Sequence, residues 1–243
     1  MKSITTKYST PKTILTLIAC TMLAGCGAST GKSPSSVDTN DQISNAIQRA
    51  AENAAMEKTP SLAAAEREYN KDSKNAANAV HYAAALREEG YANRASVVLE
   101  PFANEPKALP GVKSEYAAIQ LALGNNEAAE RYAQKAVLQD PQDFRAFHYL
   151  GIALDAQGKH PEAERAFRKA LDHWEGDPTT VMNNLALNLA SQEYLDEASE
   201  ILQKAQAIAP DRVEIERNLR IVTALQQSDK RIAPKPKKKP ERL

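Results

Sequence analysis

Between residues 76 and 228, small and bulky apolar residues recur three and four positions apart, the spacing of one face of an α-helix. In 144–155, "FRAFHYLGIALD", Phe147, Leu150 and Leu154 supply the bulk, with Gly151 among them. A second helix is predicted in 160–172, "HPEAERAFRKALD", where Ala163, Phe167, Ala170 and Leu171 make the apolar side. The pair then returns in 179–211, "TTVMNNLALNLASQEYLDEASEILQKAQAIAPD". Leu150-Gly151 aligns with Leu185-Ala186, Ala163 with Ala198, Phe167 with Leu202, and Ala170 with Ala205. Upstream, Ala163 and Ala170 align with Ala129 and Ala136, and Ala129 with Ala95. The turns share the period. Gly90, Gly124 and Gly158 recur every 34 residues, each closing a first helix, and Pro141 and Pro210 end second helices.

A helix–turn–helix unit of 34 residues resembles the tetratricopeptide repeat. The resemblance covers 76–211 as four units beginning near Ala76, Pro110, Phe144 and Thr179. It implies an all-α fold, a tetratricopeptide-repeat α-solenoid in which each unit exposes an apolar face that only its neighbours cover. Gly151, Ala163 and Ala170 belong where helices cross closely, so Ala163→Leu should be among the more damaging single changes, by overpacking. The first two units depart from the pattern. Lys113 stands where a large aromatic is usual, and Pro101 falls inside a second helix, where proline is expected to kink or end it. Residues 41–75 read as an N-terminal helical cap or a degenerate repeat. Residues 212–228 read as a C-terminal capping helix.

The two ends of the chain are of another kind. "MKSITTKYSTPKTILTLIACTMLAGC" (1–26) has Lys2, Lys7 and Lys12 ahead of a short apolar run, Ile14 to Ala24, too short to span a bilayer as a helix. Leu23-Ala24-Gly25-Cys26 resembles the lipobox of bacterial lipoproteins. That resemblance implies removal of 1–25, a diacylglyceryl thioether on Cys26 and acylation of its freed amine; an ordinary signal peptide with an incidental cysteine is the other reading. Cys20 would leave with the signal. Gly27 follows Cys26 in place of the aspartate that retains many such proteins at the inner membrane, so the expected location is the outer membrane, lipid-anchored and facing the periplasm.

Residues 26–40, rich in Gly, Ser and Thr, read as the lipidated cysteine and a flexible linker. Residues 229–243, with "KPKKKPERL", read as a basic, disordered Pro/Lys-rich tail: either a solubilising end or a contact for an acidic partner or anionic envelope polymer. Removing the signal takes three lysines and no acid, leaving 28 basic residues against 31 acidic. A net negative chain argues against nucleic acid as a partner.

The sequence carries no recognisable catalytic pattern. His81, His148, His160 and His173 lie in different units or loops without metal-ligand spacing, and neither a nucleophile elbow nor a phosphate-binding loop is present. The expectation is a protein that is not an enzyme and uses no cofactor beyond the covalent lipid on Cys26.

Binding is the remaining class. In tetratricopeptide arrays the first helices line a concave groove, at positions one, four, five, eight and eleven after each repeat start. The resemblance therefore implies a partner groove that includes Arg87, Arg145, His148, Tyr149, Asp155, Asn183, Asn184 and Leu187, with Val80, His81, Ala84, Ile152, Thr180 and Ala190 beside them. Asn184 occupies a position where asparagine often hydrogen-bonds a peptide backbone, although asparagine there is also simply consensus. The Lys/Arg/Asn clamp that grips a C-terminal carboxylate is not reproduced. Trp174 lies in the turn between the third and fourth units, either packing a helix end or anchoring a partner.

"VMNNLALNLASQEYLDEASEILQKA" (181–205), followed by "IERNLRIVTALQQ" (215–227), resembles the TadD-like tetratricopeptide lipoproteins of the tight-adherence (Tad, or Flp) pilus assembly system. It departs at Gln192-Glu193, where a glycine is usual, and at Arg220, where the pattern has alanine. The resemblance implies an outer-membrane scaffold that helps a secretin, or another pilus component, to assemble or localise. An adaptor for periplasmic proteases or cell-wall enzymes is the alternative.

Overall fold

A computed structural model describes residues 58–232. The chain divides into two units, Met1–Met56 and Glu57–Leu243, and the described residues lie in the second. The expected signal segment, Cys26, the linker, the first half of 41–75, and the tail from 233 onward lie outside the described residues.

Among the described residues ten helices follow one another: α1 (Pro60–Lys71), α2 (Ala76–Glu88), α3 (Ala92–Ala103), α4 (Val112–Ala122), α5 (Asn126–Gln139), α6 (Phe144–Asp155), α7 (His160–Asp172), α8 (Thr179–Ser191), α9 (Leu195–Ile208) and α10 (Val213–Ile232). No strand occurs among them. Helices α2/α3, α4/α5, α6/α7 and α8/α9 pair across short turns, and each second helix packs on the first helix of the next pair. Helix α1 covers α2 at one end, and α10 packs on α9 at the other. The first helices α2, α4 and α6 also pack side by side, whereas α6 barely meets α8.

The helix starts follow from side-chain chemistry. Thr59, Asn75 and Asp143 each stand just before a helix and accept a hydrogen bond from its first-turn N–H groups, at Leu62, Ala77 and Ala146 respectively. Gly90, Gly124 and Gly158 close first helices with φ of +86°, +76° and +74°, a left-handed conformation that glycine adopts without a Cβ penalty. In the fourth pair the same place falls to Glu193, at φ +67°. That side chain is exposed, so Glu193→Gly should raise the unfolding free energy by about 1 kcal/mol through relief of left-handed strain. A urea titration of both proteins checks this; an unchanged or lower midpoint would mean that strain is absent there.

Small residues mark the crossings. Ala95, Ala129, Ala163 and Ala198, one per pair, are all fully buried, and Ala136, Ala170 and Ala205 are almost equally so. Gly151 permits the closest approach of all, because a Cβ built on it would lie 2.6 Å from two atoms of the Phe167 ring. Around this contact Phe167, Leu185, Leu189, Leu202, Ile215 and Val222 form a continuous core running into the terminal helix.

Three features differ from the sequence expectation or refine it. Helix α3 continues through Pro101 to Ala103. The lost donor frees the carbonyl of Val97, one turn back, and both residues are exposed, so water satisfies it. Lys113 is buried in place of the usual aromatic: its stem fills the space while Nζ donates to Gln139 Oε1 at 3.1 Å. Helix α10 reaches Ile232, four residues past the expected boundary at 228, because no proline or glycine interrupts 213–232.

Candidate functional site

The N-terminal turns of α4 and α6 and the middle of α2 enclose a cleft of about 660 Å³. Val80 comes from α2, Ser114 and Glu115 from α4, and Phe144, Arg145 and Tyr149 from α6. The turn 140–143 and the segment after α7 complete the rim with Asp140, Asp143, His173 and Glu175. Arg87 stands behind this lining and fixes it: its Nε donates to Glu115 Oε1 at 2.7 Å, across two repeats. Burial pushes the Glu115 carboxyl above its ordinary range, against the pull of Arg87. Burial also pushes the Tyr149 phenol up. Arg145 is exposed, with its guanidinium 5.5 Å from the centre of the Phe144 ring.

Of the residues named from the sequence, Arg145 and Tyr149 meet in this cleft and Arg87 supports it through Glu115. His148 and Asn184 lie deeper, bridging the third and fourth pairs, with Asn184 Nδ2 3.0 Å from His148 Nε2. Burial holds the His148 imidazole down at a pKa of about 4, so it is neutral and its Nε2 accepts the Asn184 amide hydrogen. Asn183 Oδ1 accepts from Asn218 of α10 at 2.7 Å, extending the same inter-repeat bonding. Asp155 does not join the cleft: one carboxylate oxygen accepts from both His160 Nδ1 at 2.8 Å and Asn188 Nδ2 at 2.6 Å. Leu187 is exposed, and so is Ile221 at the equivalent place in α10; Ile152 stands at the same register in α6. Among the candidates, then, two shape the cleft, several tie repeats together, and one belongs to an apolar row.

Ser114 and Glu115 were not singled out from the sequence. The positions four and five after Pro110, in the same register that gave Tyr149, would have found them. Trp174 packs a helix end: its ring meets Phe144 edge-on at 4.7 Å, and its Nε1 donates to the Asp177 carbonyl at 2.8 Å.

A family model described as a tetratricopeptide repeat matches residues 117–179 and, overlapping them, 150–213. Over the matched stretch, from within α4 to the start of α10, the helical pairs have the tetratricopeptide-repeat fold. Solved structures with the same architecture include the Cut9–Hcn1 hetero-tetramer of APC/C, with 20% identity over 70% of this chain and a TM-score of 0.58. The present chain spans only 32% of that one. A thermophilic tetratricopeptide protein of Thermus thermophilus is 18% identical over 76% of this chain and 98% of its own, with a TM-score of 0.59. MamA of Desulfovibrio magneticus, from residue 41 to its end, is 17% identical over 72% of this chain and 94% of its own, with a TM-score of 0.51. At such identities the likeness is one of fold. No curated protein sequence matches.

Tetratricopeptide domains mediate protein–protein interactions and are generally not catalytic, and this array has the chemistry of a binding surface. Among the described residues no group of three His, Cys, Asp or Glu side chains is placed to hold a metal ion. Nor is any described helix long and apolar enough to cross a membrane. The cleft presents the Phe144 and Tyr149 rings, the Arg145 guanidinium and the carboxylates of Asp140, Asp143 and Glu175, whereas buried Ser114 donates its hydroxyl to the Gly111 carbonyl.

Proposed function

We propose that this protein is an outer-membrane-anchored interaction scaffold of Tad/Flp pilus biogenesis. In this reading Cys26 carries the lipid, the linker gives reach, and the tetratricopeptide array holds a segment of a secretin or another pilus component. The cleft of about 660 Å³ built jointly by three first helices supports the scaffold part of this reading, and the resemblance of 181–205 and 215–227 supports the pilus part. Anchoring one partner at a membrane raises its local concentration, which is how a scaffold without chemistry of its own promotes assembly.

The test is affinity purification from detergent-solubilised outer membranes, with Tyr149→Ala and Cys26→Ser beside the wild type and circular dichroism to verify folding. A secretin should copurify with the wild type and be lost with Tyr149→Ala, and Cys26→Ser should leave the membrane fraction. Recovery of a periplasmic protease or a murein hydrolase in its place would reject the pilus assignment and leave the scaffold reading standing.

A further inference from the structure

We propose that the cleft between α2, α4 and α6 selects a lysine- or arginine-rich segment of a partner protein. This rests on reading the cleft as the binding surface and adds the chemistry of what it binds. Glu115 is matched by Arg87, at 2.7 Å. The remaining charges on the lining are Asp140, Asp143 and Glu175 against Arg145, an excess of two negative charges. Two of the carboxylates are held in place by the backbone. Asp140 Oδ1 accepts from the Gln142 N–H at 2.9 Å, and Asp143 Oδ1 accepts from the Ala146 N–H at 2.9 Å. Each has a second oxygen for a ligand cation, and neither side chain has to be ordered when that cation arrives.

The aromatic floor fits the same ligand. The Arg145 guanidinium shows that a cation can lie over the Phe144 ring, and Tyr149, backed on one side by His148, lines the cleft beside it. A lysine or arginine stem can lie along such rings while its charged head reaches the rim carboxylates. An acidic segment would meet the excess of carboxylates with Arg145 alone to attract it. A segment without charge would leave that excess unanswered. Electrostatic complementarity of this kind sets which partner is accepted and how fast it arrives.

The experiment uses the full mature chain and three BODIPY-labelled twelve-residue Gly/Ser peptides, carrying four lysines, four glutamates or no charge, followed by anisotropy at low salt. The lysine peptide should bind at least tenfold more tightly than the other two, and its affinity should fall as salt is raised. Asp140→Asn with Glu175→Gln removes both charges, while the amide oxygen introduced at position 140 can still accept from the Gln142 N–H. That double change should weaken binding at least tenfold; Glu68→Gln with Glu200→Gln, remote from the cleft, should not. Deleting 235–243 should leave the affinity unchanged, whereas a tenfold gain would assign the cleft to the chain's own basic tail and overturn the proposal. Binding lost on Tyr149→Ala but indifferent to the Asp140/Glu175 pair, or shared equally by the uncharged peptide, would keep the cleft as a binding surface and refute its charge selection. Failure of all three peptides to bind would refute the inference, and the secretin copurification would then judge the broader reading by itself.

Discussion

Phe167→Ala should lower the unfolding free energy by about 3–5 kcal/mol, and Gly151→Ala should lower it too, although alanine is the better helix former by about 1 kcal/mol. The Phe167 ring is 1% exposed and held by the core of the last two repeats, so it has no room to retreat. A methyl group at residue 151 would arrive 2.6 Å from that ring. Overpacking of this order costs about 1–3 kcal/mol, which outweighs the gain in helix propensity. The fourth repeat contains the remedy. There Ala186 and Leu202 hold the equivalent positions, both buried, so the smaller side chain on one helix allows the methyl on the other. Gly151→Ala combined with Phe167→Leu should therefore be more stable than the sum of the single changes predicts, with a coupling of about 1–2 kcal/mol. Urea unfolding of the four proteins in the cycle measures it. Simple additivity would show that the two residues do not constrain each other.

The second large effect is a dependence on pH. His148 is buried against Tyr149, Phe167 and Trp174, and its Nε2 accepts from Asn184. Burial lowers its pKa from 6.5 to about 4 in the folded protein. Below pH 6.5 the unfolded chain therefore binds a proton that the folded one refuses, and stability falls as pH falls. The slope is about 1.4 kcal/mol per pH unit, and the loss is complete only once the pH is below the folded value. Over the whole window it amounts to about 3 kcal/mol. Protonation also turns Nε2 into a donor facing the Asn184 NH2, so this bond between the third and fourth repeats breaks or the amide must turn to present its oxygen. His148→Gln keeps an acceptor and does not titrate. Unfolding midpoints at about pH 7 and about pH 4.5 should separate for the wild type by clearly more than for this variant, and parallel shifts would contradict the assignment.

The fold was readable because its constraints are local and periodic. A helix crossing tolerates alanine or glycine and little else, so Ala95, Ala129, Ala163 and Ala198 announce the repeat without any knowledge of structure. The glycines at 90, 124 and 158 do the same for the turns, through a backbone conformation that other residues resist. The fourth unit was readable although Glu193 stands where a glycine is usual, and the array around it holds that residue at φ +67°. Pro101 does not end its helix at once, because a proline near the end of a second helix, on its wet side, frees only a carbonyl that water can reach.

The site was less legible. Position in the repeat identifies which residues face the groove, but not which of them are already occupied. Asn184 and His148 lie 36 residues apart in the chain and satisfy each other. Asp155 is likewise taken by His160 and Asn188. The charge of the cleft depends on turn residues, Asp140, Asp143 and Glu175, which no helix register selects. Ser114 and Glu115 were within reach of the pattern, yet their unit departs from it at Lys113.

The central claim is that the face formed by α2, α4 and α6 is where this scaffold holds its partner. Its most direct test places a photo-crosslinking amino acid at Arg145 in the cleft, or at exposed Lys204 on second helix α9, and irradiates living cells that make the full-length protein. The account predicts one discrete adduct from position 145, identified by mass spectrometry as a pilus-assembly protein, and none from position 204. The same adduct from position 204, with none from position 145, would contradict it.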